Sequence, residues 1–117
     1  MADEAIDLKE ALERVQDDHE LLLELFDIFE EDFAEKRINI NQVVAAKNFE
    51  GLRDIAHSMK GASSNISAKK IYEFLRQLEH AAVEGNRQEI DSILKNVDVQ
   101  YDELKKYMQK LRQELKK

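Results

Sequence analysis

The sequence predicts an all-α protein: an up-and-down antiparallel four-helix bundle with a short extra helix at the N-terminus. Three observations carry this. The 117 residues include no proline and only 3 glycines, so the residues that punctuate hairpins and tight loops are scarce. Apolar residues recur at steps of three and four nearly end to end, and no window alternates apolar and polar for long. Charged residues make up 37% of the chain beside 43% hydrophobic, proportions that suit helices with one buried stripe and a solvated outer face.

The elements follow in order. Asp3 is an N-cap for a first short helix, with Ala5, Leu8, Leu12 and Val15 on one stripe. Asp17-Asp18 restarts the chain. A long second helix carries Leu22, Leu25, Phe26, Phe29 and Phe33 inward, continues through Ile40 and Val44, and fades near Ala46-Lys47-Asn48. Asn48 caps a third helix whose stripe is Leu52, Ile55, Ala56, Met59, Ser63 and Ile66. Ser67 is the expected N-cap of a fourth, with Ile71, Leu75, Leu78 and Ala82. Gly85 stands where a helix end wants a left-handed residue. The last helix has the cleanest spacing: Ile90, Leu94, Val97, Tyr101, Leu104, Met108, Leu111 and Leu115. Short connections set successive long helices antiparallel. With no linker, repeat or low-complexity stretch, residues 1–117 are expected to form one domain. Gly51 has no evident role.

Composition excludes several functions. With 18 Lys+Arg against 25 Asp+Glu the net charge is −7, which disfavours nucleic acid and anionic membranes as partners. The absence of cysteine removes thiolate metal sites and cysteine nucleophiles. The longest apolar run, Leu21-Leu22-Leu23, cannot span a bilayer. The first ten residues have neither a basic nor an apolar region of the secretory kind, so a cytoplasmic location is expected. A di-iron bundle needs carboxylate-x-x-His on two helices. Only Asp54-Ile55-Ala56-His57 qualifies, since His19 and His80 follow Gln16 and Gln77 at that distance. No metal site is expected, and no loop of the oxyanion type supports a hydrolase.

One segment carries chemistry. At about 100° per residue, the apolar residues of 52–66 share one arc. His57, Lys60, Gly61 and Ser64, with Arg53, fall on the flank and far side. His57 therefore projects from the surface, with Lys60 and Gly61 as neighbours three and four residues on. A glycine inside an exposed helix costs about 1 kcal/mol relative to alanine, and nothing in helix stability asks for it. The missing side chain does let another macromolecule's backbone approach the ring. His19, near a helix start, and His80, beside Glu79, read as ordinary surface residues.

The run Ala56-His57-Ser58-Met59-Lys60-Gly61-Ala62-Ser63-Ser64-Asn65-Ile66, followed by Ala68 and later Leu78-Glu79, resembles the histidine phosphotransfer (HPt) domain. The family pattern is A-H-x-L-K-G-x-(S/A)-x-x-(L/I/F)-G-A. Met59 stands where an aliphatic residue is usual, and Ser67 where the pattern has glycine. The resemblance implies a phosphohistidine intermediate of two-component relays. In that role His57 accepts the phosphoryl group and Lys60 offers charge to its oxygens. Glu79 faces His57 from the next helix and holds the second ring nitrogen. A neutral imidazole is a competent nucleophile near pH 7.

The sequence has no phosphate-binding glycine loop and no acidic metal triad, so the chain is not expected to be an enzyme by itself. The resemblance implies that a response-regulator receiver domain brings its own aspartate and Mg²⁺, and that a sensor histidine kinase feeds the relay. Gly61, Ser64, Arg53 and Lys69 are candidate docking residues; Ile6 is either docking surface or core. No cofactor of the chain's own is expected, and the final heptads are absorbed by the bundle, leaving a monomer. Two other readings stay open: the histidine domain of a larger histidine kinase, and a helical scaffold that keeps the fold without the chemistry.

Overall fold

The computed structural model describes residues 4–116. They form five helices: α1 Leu8–Arg14, α2 His19–Ala45, α3 Phe49–Asn65, α4 Lys69–Glu84 and α5 Arg87–Leu115, with no strand among the described residues. The all-α class follows from the sequence as read. α3 packs on α4, α4 on α5, and α2 on both α3 and α5, while α1 lies against α2.

Four of the helices start at a side-chain cap. Asp7, Asp18, Asn48 and Asn86 each accept from the backbone N–H three residues on, satisfying a donor that the first helical turn leaves free. At α3 the bond from the Gly51 N–H to Asn48 Oδ1 is 2.9 Å. A Cβ at Gly51 would sit 2.7 Å from Asn48 Nδ2. The glycine makes room for the amide that caps its own helix, which accounts for Gly51.

Two expected caps are corrected. Asp3 lies outside the described residues, and the first helix begins only after Asp7, whose Oδ1 accepts from Glu10 N at 3.2 Å. Residues 4–6 are not helical: Ile6 is fully buried, and the Asp7 N–H reaches back to the Ser67 carbonyl at 2.9 Å. Tertiary anchoring of this segment overrides its helical spacing, and Ile6 is core.

Ser67 is likewise no cap. Ala68 holds that position without a side-chain bond, and Ser67 sits at φ 56° with its hydroxyl donated to Glu10 Oε1 at 2.9 Å. The chain needs a left-handed residue there to close α3, because the Ala68 N–H returns to the Ser63 carbonyl at 3.0 Å. Gln16 at φ 54° and Lys47 at φ 56° make the same kind of turn, each at a cost of about 1–2 kcal/mol that glycine would avoid. Scarce glycine therefore does not mean scarce tight turns. Only Gly85, at φ 68°, uses glycine for one.

The stripes read from the sequence converge on one core. Leu22, Phe26, Phe29, Phe33, Ile40 and Val44 of α2 meet Leu52, Ala56 and Met59 of α3, Ile71, Leu75 and Leu78 of α4, and Ile90, Val97, Leu104 and Met108 of α5. Each large side chain so buried contributes roughly 1.5–3 kcal/mol. Leu25, Ile55 and Leu115 pack against this core only partly buried. Tyr101 is also partly buried, stacked on Phe33 with ring centroids 3.8 Å apart, and burial raises its phenol to about 12. Polar ties set the register: Arg37 to Asp98 at 2.7 Å and Arg112 to Asp27 at 2.9 Å join α2 to α5, and Lys36 bonds Ser58 across α2 and α3.

Candidate functional site

The site is built by two facing helices. On α3, Leu52, Ala56, Met59 and Ser63 turn inward, and the Ser63 hydroxyl is spent on the Met59 carbonyl at 2.9 Å. That face fixes the opposite one, so His57 is carried outward with its side chain 69% exposed. On α4, the buried residues Leu75, Leu78 and Ala82 leave Glu79 at the boundary of the core, facing α3.

The geometry is a three-residue cluster. Glu79 Oε2 lies 2.8 Å from His57 Nδ1, and Glu79 Oε1 accepts from Lys60 Nζ at 2.7 Å. Both carboxylate oxygens are thus engaged, one by the imidazole and one by the ammonium. Nδ1 carries the proton in this pairing, since an ionised carboxylate can only accept. In the neutral imidazole this leaves Nε2 as the ring nitrogen with a free lone pair. The hydrogen bond from Lys60, and secondarily that from His57, hold the Glu79 carboxyl below the usual range against the opposing effect of burial. Glu79 in turn raises the Lys60 ammonium. Lys60 also stands 5.8 Å above the Tyr72 ring, within reach of a cation–π interaction.

The remaining site residues of the sequence reading are distributed differently. Gly61 has nothing within 4 Å of where a Cβ would stand, so its place on the surface of α3 is open space. Arg53 leans on its neighbour Asp54 at 3.4 Å. Ser64 lines a shallow cleft with Glu10, Ser67, Lys69, Tyr72 and Glu73. Lys69 is not beside His57; it bridges Asp7 at 3.2 Å and Glu10 at 2.9 Å, tying the start of α4 to α1. That tie depends on Asp7 as the α1 cap, a position the helical spacing alone had put earlier. His80 faces Glu84 of its own helix at 3.3 Å, and His19 opens α2.

Among the described residues no group of three or more His, Asp or Glu side chains could hold a metal ion. No helix is long and apolar enough to cross a membrane.

The Hpt domain family matches residues 24–114, and the chain belongs to that family. Membership gives it a histidine phosphotransfer role in two-component signalling. No curated protein and no solved structure matches the chain. The match begins inside α2 and includes His57, Lys60, Gly61 and Glu79, while α1 precedes it.

Proposed function

From this Hpt membership we propose that the protein is a phosphohistidine intermediate, with His57 taking a phosphoryl group from one partner and passing it to the aspartate of a receiver domain. The observation that carries the reading is the Nδ1 bond to Glu79, 2.8 Å long. It fixes the tautomer in which Nε2 is the nucleophile, on an exposed ring beside an open glycine surface.

In the transfer, the Nε2 lone pair attacks phosphorus from the side opposite the leaving oxygen. An N–P bond forms and the donor's P–O bond breaks, the electron pair leaving with the donor carboxylate or nucleoside diphosphate. The Nδ1 proton stays in place, and Glu79 stabilises the positive charge that develops on the ring. The reverse step delivers the group to a receiver aspartate. With both Glu79 oxygens engaged, this chain's own residues position the nucleophile. Mg²⁺ and in-line activation belong to the partner, so the chain acts as a carrier without enzymatic activity of its own. Lys60 supplies positive charge at the site. Gly61, Ser64, Arg53 and Lys69 border the surface that the receiver and the sensor kinase occupy. Lys69 reaches a partner by releasing Asp7 or Glu10.

The architecture this reading takes is an up-and-down four-helix bundle, α2 to α5, with α1 as the short extra helix. The pairs Asp27–Arg112 and Arg37–Asp98 support it, since one number falls as the other rises. Residues 1–117 act as one cytoplasmic, monomeric domain.

The test is to incubate the protein with a phosphorylated receiver domain, or with a histidine kinase and ATP, and measure acid-labile, alkali-stable label. Wild type is labelled and His57→Gln is not. Label that persists in His57→Gln overturns the assignment, and absence of label with every donor favours the scaffold reading.

A further inference from the structure

The Lys60–Glu79 bond poses a question that phosphoryl binding does not answer. A lysine meant only for an incoming phosphoryl group has no need of a carboxylate partner at 2.7 Å, yet both side chains are largely shielded, at 19% and 22% exposed. Its effect on the histidine is electrostatic. An unopposed carboxylate hydrogen-bonded to Nδ1 favours the imidazolium, and an imidazolium has no lone pair on Nε2. The group that orients His57 therefore also tends to disarm it.

Other cations on the helices of the site are paired with carboxylates of their own helix. On α3 Arg53 meets Asp54, from α2 Lys36 meets Asp32 at 2.9 Å, and on α4 Arg76 meets Glu73 at 2.6 Å. Lys60 instead reaches across to α4 and touches the same carboxylate as the imidazole.

We infer that Lys60 is a positioning residue acting through Glu79: it cancels the carboxylate's charge, so that Glu79 holds the Nδ1 proton without drawing a second proton onto Nε2. The Nε2 lone pair is thereby kept available for attack on phosphorus. The ammonium needs no direct phosphoryl contact to matter. This deepens the phosphotransfer reading and rests on it for its purpose. The titration it predicts is a property of the unphosphorylated protein alone.

The experiment compares the full chain with Lys60→Met, Glu79→Gln and the double variant. The midpoint of His57 is followed by NMR of the imidazole protons, and the initial rate of labelling by a phosphorylated receiver is measured across pH. Methionine keeps the length of the lysine stem against Tyr72, and the fold is monitored in the same spectra. In Lys60→Met the His57 midpoint rises by about one pH unit, the size expected for losing one neighbouring charge at a partly shielded site. Labelling at pH 7 falls up to about tenfold and recovers toward wild type at higher pH, where the ring is neutral again. Adding Glu79→Gln lowers the midpoint again, because the charge that needed cancelling is gone.

An unchanged His57 midpoint in Lys60→Met overturns the inference. So does a labelling deficit equal at all pH values, which would make Lys60 a direct phosphoryl ligand. If wild type takes no label from any donor, the phosphotransfer reading fails while the titration still decides the role of Lys60.

Discussion

The α3–α4 hairpin holds two lysines with carboxylates from another element, one at its corner and one near mid-length. Lys69, at the corner, is 63% exposed and shared between Asp7 and Glu10. Lys60 is 19% exposed and given to Glu79, itself bonded to a histidine. An exposed ion pair contributes at most about 1 kcal/mol and is screened by salt. At the corner, then, the charges orient a segment whose hold comes from elsewhere, chiefly the fully buried Ile6. At the site the shielding lets a single charge act on its neighbours. The same residue types fasten in one place and tune in the other, and burial makes the difference.

The corner also explains the departure from the family pattern. Ser67 occupies a left-handed position that suits glycine, and its hydroxyl gains Glu10 in exchange. Glu10 belongs to α1, which precedes the family match at residue 24. Serine at 67 and the N-terminal segment are thus two halves of one local arrangement.

The sharpest way to separate the two regions is to remove the corner's anchor. Ile6→Ala is expected to destabilise the protein by about 2–5 kcal/mol, read by urea unfolding, while the folded protein is labelled at the wild-type rate. Slower labelling at unchanged stability would mean that the corner and the site are one unit. Smaller in energy, Gly61→Ala is expected to stabilise the helix by about 1 kcal/mol, since a Cβ there meets nothing within 4 Å. Gly61→Leu should keep the same circular dichroism and yet slow transfer from a receiver; an unaltered rate would dispose of the steric account of this glycine.

Acid provides a third comparison. The Lys60 hydrogen bond holds the Glu79 carboxyl below its ordinary value of 4.5, so its contribution to stability is full above that value and is lost as pH falls through the folded-state pKa. Glu79→Gln should therefore flatten the acid limb of the stability curve. Glu10 is shifted the same way by Lys69 and Ser67, but in the exposed corner Glu10→Gln should flatten it less. An equal effect would contradict the ranking of the two clusters by shielding. The smallest change is expected for Gly51→Ala. The gain in helix propensity is opposed by the contact with Asn48 Nδ2 at 2.7 Å, so its stabilisation should fall short of that from Gly61→Ala in the same unfolding assay.

Much of the fold was legible because α-helices declare themselves locally. The stripes from Leu22 to Val44 and from Ile90 to Leu111 mark buried faces by their spacing alone. Asn48 capped the helix that its position suggested. The same periodicity placed His57 opposite the buried arc of α3 and left Gly61 without a packing role. Where this reading went astray, a distant part of the chain had the deciding vote. Asp7 rather than Asp3 is the cap the structure shows because Ile6 is drawn into the core and the Asp7 N–H is held by Ser67. Ser67 has the chemistry of a cap but lies one residue too early, in the turn that closes α3.

By itself, then, the sequence determined what depends on neighbours three and four residues apart: the all-α class, the buried stripes, the exposure of His57 and the motif around it. The tertiary structure alone decided which charges meet. Lys60 is given to Glu79 and Lys69 to Asp7 and Glu10, and no periodicity encodes that division. Helix formation is set by local hydrogen bonds and side-chain spacing, whereas an ion pair between helices depends on the angle and register at which they pack.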